Sequence, residues 1–421
     1  MGPKADEQLA RARTLNAIAA IDEGALSREG APSVLVKDNI AVAGMSWTAG
    51  SPIFAGTVAR RDAAGVRSLR EAGACFPIRT TLHELAFGVT GDNGWTGAIV
   101  NPHDESRVAG GSSGGSAAAL ALGLGDLSLV TDTGGSARVP AAFCGVIGFR
   151  PSTGRYPADG MIGLSHSRDT LGLMARTMAP ILWADAVLAG DDGAERDAPA
   201  RATIGVLNED QLGAIEPDVL HAYRRSIAVL EAQGHRMVEC DLSQAFALDE
   251  ACGFPIALHE TGQALLSSVP ALTGRALDDV LDQVATPDVQ HLLGLALDGQ
   301  TVPAAVYADA IGRQWPALRK AFEAVFASGP DFLLQPTAPL TAPALGSADT
   351  VDLNGEAVPA FPTITRYTRP DSMAGLPAIS LPSGCDGRGL PIGMMLTARR
   401  GADAMLLRFA DALGGSLAET A

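Results

Sequence analysis

GGSSGGSAAALALGLGDLSLVTDTGGS, residues 110–136, reads as a glycine- and serine-rich loop, a short apolar helix, a strand LSLVT (127–131) and a second glycine-rich turn. Alanine and leucine favour the helix, and the glycines of TGGS allow the backbone angles of a tight turn. A helix feeding a strand that ends in such a turn is a unit of an α/β fold, and the flanking sequence has the same rhythm. Residues 4–22 predict a helix, VLVKDNIAV within PSVLVKDNIAVAG (32–44) a strand, ARRDAAGVRSLREAG (59–73) a helix closed by glycine, and ACFPIRT (74–80) another strand. From about residue 175 the pattern turns to long amphipathic helices, for example EPDVLHAYRRSIAVLEAQG (216–234) and VYADAIGRQWPALRKAFEAVFASG (306–329). Strands return at DFLLQPTAP (331–339), LPAISLPS (376–383) and LPIGMMLTA (390–398), before a last helix. Neither a clean linker nor an internal repeat divides the chain. The expectation is one large α/β domain over 1–421, with a central mixed β-sheet flanked by helices on both faces. Within it, 25–175 forms the core carrying the motifs, 175–330 a helical, pocket-forming region, and 331–421 the return to the sheet.

The totals exclude several classes of function. With 421 residues, 47% of them apolar, the chain can bury a large core. A net charge of −16 and the absence of any basic run argue against nucleic acid as a partner. Five cysteines without CxxC spacing suit reduced thiols, and so a cytoplasmic location. The N-terminal MGPKADEQLARARTLNAIAAIDEG has no apolar signal-peptide core, and no apolar run reaches the roughly 18 residues of a membrane span.

Familiar motifs fail in turn. No lysine follows Gly115, as a phosphate-binding P-loop requires, and GLGDLS (123–128) lacks the third glycine of a dinucleotide fingerprint. His83-Glu84 and His259-Glu260 continue to no second histidine at i+4, so a zinc helix is not expected. TDTGGSARV has Arg138 where the closing glycine of a GxSxG elbow would stand. The expectation is a site without metal or cofactor.

Three pieces remain: the GGSSGGS loop, the TDTGGS turn and a lysine. The chain has only three lysines (Lys4, Lys37, Lys320) beside its 28 arginines, and Lys37 sits inside an apolar strand-like run. Each piece alone has an ordinary reading: a solvated strand face, a flexible loop, a strand-end turn. Together they supply a histidine-free acyl-transfer site. A serine nucleophile needs a base, and a lysine serves when burial disfavours its charged form, a drop of about three pKa units from about 10.4. Successive backbone N–H groups of the TGGS turn suit an oxyanion hole.

At this point the chain resembles the amidase signature family. VLVKDNI, TTLHELAFGVTGDN, NPHD, GGSSGGSAAA and TDTGGSARVPAAFCGVIGFRPS follow the family's order over about 120 residues. The resemblance implies that Ser136 is the nucleophile, Ser112 the bridging serine and Lys37 the base, with the Gly111–Ser112 peptide bond as the candidate for the family's cis bond. It implies an oxyanion hole from the amides of Thr133, Gly134, Gly135 and Ser136, and a place for Ala86 at the substrate site. Asp132 and Arg138 are expected to brace the turn. YPADGMIGLSHSRDTLG (156–172), ACGFPIALHETG (251–262), ATPDVQ (285–290), LLQPTAPLTAPALG (333–346) and RPDSMAGLPAISLP (369–382) look like the indoleacetamide hydrolase and mandelamide hydrolase branch.

That branch implies release of ammonia from a small aryl-substituted primary amide. Phe246, Phe254, Trp315 and Phe322 are available to wall an aromatic pocket, though such residues are more often plain core, and His259 and Glu260 read as satisfied core or support groups, not ligands. Carboxylated amides of the malonamate, allophanate or carboxybiuret type, and an amidotransferase-like subunit needing a partner, stand as alternatives. The chain departs from the family in two places. Lys37 comes early, which reduces the usual N-terminal helical segment and leaves a homodimer open. Ile78-Arg79-Thr80 replaces the usual GKT.

Overall fold

Val34, Leu35, Val36 and Lys37 are all buried, so the strand they form is covered on both faces. The computed structural model, which describes residues 3–26, 30–190, 198–347 and 349–418, places this strand near one end of an eleven-stranded mixed sheet. In chain order the strands are β1 (Ile18–Ile21), β2 (Val34–Lys37), β3 (Ile78–Thr80), β4 (Leu127–Asp132), β5 (Ile147–Arg150), β6 (Thr170–Ala175), β7 (Thr203–Val206), β8 (Arg236–Glu239) and β9 (Phe332–Pro336). A separate hairpin, β10 (Thr350–Leu353) and β11 (Glu356–Pro359), precedes β12 (Ala378–Cys385) and β13 (Pro391–Ala398). The spatial order is β1-β3-β2-β4-β6-β5-β12-β13-β9-β7-β8. β2 runs parallel to both β3 and β4, whereas β4, β6, β5, β12, β13 and β9 pair antiparallel in succession. A mixed sheet with central strands buried on both faces is the expected architecture.

The structure departs from the sequence reading at several ends. The strand predicted over VLVKDNIAV stops at Lys37, because the amide of Ile40 donates to the Lys37 carbonyl at 3.0 Å and closes a turn through Asp38 and Asn39, residues suited to turns. Lys37 is thereby left at the C-terminal end of a parallel strand, where α/β sheets build their sites. The predicted helix 4–22 ends at Thr14; Asn16 takes a left-handed φ of 56°, and β1 pairs back on β3. The middle region is not purely helical, since TIGV and RMVE supply β7 and β8 at the far edge. The long helix read over 306–329 contains a π-helical turn, Ala310–Gln314. Among the described residues no helix is long and apolar enough to cross a membrane.

The glycine-serine loop ends where the helix Gly114–Ala121 begins, and seven of that helix's eight residues are buried. Gly115 explains one glycine of the motif by close approach: a Cβ there would lie 2.6 Å from the Thr81 carbonyl oxygen and 2.8 Å from that of Ala17. Gly115→Ala should therefore force the helix away from the β1–β3 end of the sheet and destabilise the fold by about 1–3 kcal/mol, read as a lower midpoint in urea unfolding.

Candidate active site

Lys37 Nζ is fully buried and makes two hydrogen bonds, 2.7 Å to Ser112 Oγ and 2.9 Å to Thr131 Oγ1. Thr131 comes from the adjacent parallel strand β4, near whose C-terminal end the long lysine side chain reaches it. Asn39 Nδ2 donates to the same threonine oxygen at 3.1 Å, holding it from the other side. Burial drives the lysine pKa down from 10.5 to about 7, against the opposing pull of the Asp132 and Asp169 charges. An amine that is half neutral near physiological pH and bonded to a serine hydroxyl is a general base in position. Ser112 is also fully buried, its carbonyl accepts the amide of His83 at 3.0 Å, and the Gly111–Ser112 peptide bond is cis.

Asp38 does turn away from the lysine. Its Oδ1 pairs with the buried Arg79 guanidinium at 3.2 Å. The arginine of Ile78-Arg79-Thr80 thus neutralises the acid beside Lys37, keeping that negative charge from supporting a protonated amine.

The TDTGGS turn is held by charge. The fully buried Asp132 carboxylate accepts from Arg138 Nε at 3.0 Å and Arg150 Nη1 at 3.3 Å, and from the amides of Gly135 at 2.9 Å and Ala137 at 3.1 Å. Burial alone would raise its pKa, yet the two guanidiniums hold it well below the usual carboxylate range. Asp132 and Arg138 brace the turn, as expected, and Arg150 joins them. The Gly135 amide is consequently engaged, which corrects the expectation of a four-amide oxyanion hole. Among the described residues the amides of Thr133, Gly134 and Ser136 make no hydrogen bond. Thr133 Oγ1 donates to Asp169 Oδ1 at 2.6 Å, and Asp169 Oδ2 accepts the amides of Leu164 and Ser165, so the loop before β6 is fastened to the turn.

Ser136, Thr133, Gly134 and Ala86 all line one cavity of about 540 Å³, while Lys37 and Ser112 do not themselves line it. Ala86 and the preceding Leu85 have left-handed φ values of 59° and 55°. Their short 3-10 turn is anchored by the buried Glu84 carboxylate, which accepts from Ser51 Oγ at 2.7 Å and the Thr286 amide at 2.7 Å. Across the cavity, Asp249, Gly253, Ala257 and Thr261 form an i, i+4 stripe along the helix Ser243–Thr273. Of the aromatics singled out in the sequence, only Phe254 reaches this cavity; Phe322 is buried core, and Phe246 and Trp315 pack against that core. Phe87 and Phe361 are the other aromatic lining residues. His259 stacks on Tyr307, and Glu260 accepts from Ser165, Ser167 and Tyr307, so both are satisfied support groups.

Sequence reasoning missed Asn39, Thr131 and Asp169, although all three lie inside quoted stretches and the first two were identifiable as polar groups flanking a buried lysine. Arg168, Asp249 and Arg369 also line the cavity, and no local pattern announces that residues so far apart meet.

Comparisons with known proteins identify relatives of the whole chain. The Amidase family model matches residues 5–407. An indoleacetamide hydrolase of Agrobacterium vitis is 36% identical over 96% of this chain and 90% of its own length. A mandelamide hydrolase of Pseudomonas putida is 36% identical over 91% of this chain and 77% of its own length. A crystal structure of an amidase, 32% identical, superposes with a TM-score of 0.84 over 98% of this chain and 95% of that one.

Asp132→Asn should leave two buried guanidiniums without their anion, lowering stability by about 3–5 kcal/mol and the calorimetric midpoint with it.

Proposed function

The chain belongs to the amidase signature family and is an amidase, and on that premise we propose that it releases ammonia from a small, aryl-substituted primary amide through a serine acyl-enzyme. The observation that carries the reading is the pairing of a buried lysine, its pKa about 7 and bonded to Ser112, with a largely apolar cavity that holds Ser136. Names of relatives support the substrate class, since an indoleacetamide hydrolase and a mandelamide hydrolase both take arylated amides. The lining residues Phe87, Leu164, Phe254, Leu292 and Phe361 supply the apolar and aromatic surface such a group would bury.

In the proposed cycle neutral Lys37 draws a proton from Ser112, which takes one from Ser136, and the Ser136 oxygen adds to the amide carbonyl. Unengaged amides of the Thr133–Ser136 turn receive the oxyanion. The C–N bond breaks as the proton returns along the same relay to the nitrogen, and ammonia leaves. Water then enters, gives its proton to the relay and hydrolyses the ester, freeing the acid and Ser136. Burial of Lys37 keeps the relay dry, and the Asp132–Arg138–Arg150 cluster fixes the turn, so neither has to reorganise during the reaction.

Ser136→Ala should remove ammonia release from indoleacetamide and mandelamide by at least about a thousandfold while the protein stays folded; turnover surviving in that variant would sink the assignment. The pH profile has a definite sign. Lys37 must be neutral to accept the proton, and its pKa is about 7. kcat/KM should then fall about tenfold per pH unit well below 7 and level off above it, as measured by ammonia release across pH 5–9.

A further inference from the structure

Arg168 brings a full positive charge to the cavity with little to bond. The residue is 6% exposed and lines the cavity together with Ser136 and Thr133. Its Nη1 rests 2.7 Å from the thioether sulfur of Met373, its Nη2 lies 3.4 Å from the Gly253 carbonyl oxygen, and its Nε donates to nothing. A thioether is a weak acceptor and 3.4 Å is long for an N–H···O bond.

Three carboxylates are near enough to act on its charge, those of Asp249, Glu260 and Asp169, and each bonds other groups, although Asp249 Oδ1 has no hydrogen-bond partner. Asp249 Oδ2 is held by Arg369 at 2.9 Å. Glu260 is taken by Ser165, Ser167 and Tyr307. Asp169 holds Thr133 and two loop amides. Among the described residues none comes within ion-pair distance of Arg168. Its charge is balanced at a distance while its Nε makes no hydrogen bond and its Nη groups make only weak ones, and a guanidinium cannot shed the proton to escape.

An oxygen of a substrate in the cavity would give the Nη groups a better acceptor than the thioether and the long carbonyl contact. Two cations, Arg168 and Arg369, and two carboxylates, Asp249 and Glu250, line the cavity, with Glu260 and Asp169 also acting on Arg168, so no surplus positive charge welcomes an anionic acyl group, and a neutral oxygen fits better. Gly253, on the cavity-facing stripe and bonded through its carbonyl to Arg168, has no side chain to crowd the Asp249 carboxylate, whose Oδ1 a Cβ there would meet at 2.9 Å. We propose that Arg168 is a specificity-determining residue that donates a hydrogen bond to a hydroxyl or carbonyl oxygen of the acyl group other than the reacting carbonyl, so that the enzyme prefers oxygen-bearing aryl amides to plain arylalkyl ones. The proposal rests on the aryl-amide reading above and divides that class in two.

The test is kcat/KM for ammonia release from phenylacetamide, from mandelamide with its α-hydroxyl, and from 4-hydroxyphenylacetamide with its ring hydroxyl. It is run on the full chain and on Arg168→Met and Arg168→Lys. At least one oxygenated amide should exceed phenylacetamide by about 10- to 100-fold, the range of a hydrogen bond to a charged group. That ratio should collapse toward one in Arg168→Met and be partly kept in Arg168→Lys. The unaltered enzyme showing no preference, or the preference persisting in Arg168→Met, would overturn the proposal even with vigorous turnover. Should Arg168→Met not fold, the preference of the unaltered enzyme and its change in Arg168→Lys decide the matter. Silence of the unaltered enzyme on all three amides and on indoleacetamide would instead remove the aryl-amide reading, and this proposal with it.

Discussion

A lysine can be held neutral near pH 7 only if it is kept out of water, and much of the structure around β2 does so. Moving its pKa from 10.5 to about 7 corresponds to roughly 5 kcal/mol against the charged form. Desolvation on this scale needs a side chain covered from every direction. A strand buried on both faces provides that cover, and its C-terminal end leaves the amine free to reach across to β4 and to the loop that carries Ser112. Desolvation alone would also leave the amine without partners; two hydroxyls satisfy it without supplying the negative charge that would restore its proton.

The carboxylates nearby are handled accordingly. Asp38 is covalently next to the lysine, yet it is turned onto Arg79. Asp132 is 6 residues from Arg138 and 18 from Arg150 in sequence, and folding packs both guanidiniums on it. Their charges are spent on each other, and their hydrogen bonds on fixing a turn. A buried ion cluster of this kind adds little net stability when intact and costs much when broken. Its value here is geometric, since it holds the amides of the turn in fixed directions.

Much of this was legible in the sequence, and the reasons differ by residue. Lys37 stood out because arginine supplies nearly all the positive charge elsewhere, which makes a lysine in an apolar run conspicuous. The bracing pair Asp132 and Arg138 is local, six residues apart, and the family's motifs name it. The end of β2 was misread because apolar periodicity continues through IAV after the turn; the Lys37–Ile40 hydrogen bond, not hydropathy, stops the strand. Strands β7 and β8 were overlooked because each is four residues long between much longer amphipathic helices. The engagement of the Gly135 amide was invisible because a glycine turn looks equally able to offer every N–H. Arg168, Asp249 and Arg369 were beyond local reading, since their meeting depends on three segments converging in space.

That convergence divides the molecule's labour along the chain. The proposed reacting groups come from residues 37–136, whereas the opposite wall of the cavity comes from the helix Ser243–Thr273 and from residues 361–369. The wall-forming segments contribute no side chain to the hydrogen bonds of Lys37. Mutation along the helix Ser243–Thr273 can thus reshape what the cavity admits while leaving the bonds of Lys37 in place, whereas Thr368 ties the other wall segment to the Gly134 carbonyl and to Arg138. A fold so partitioned is suited to diversifying by substrate, with selection on reactivity and selection on recognition acting on separate stretches of one gene.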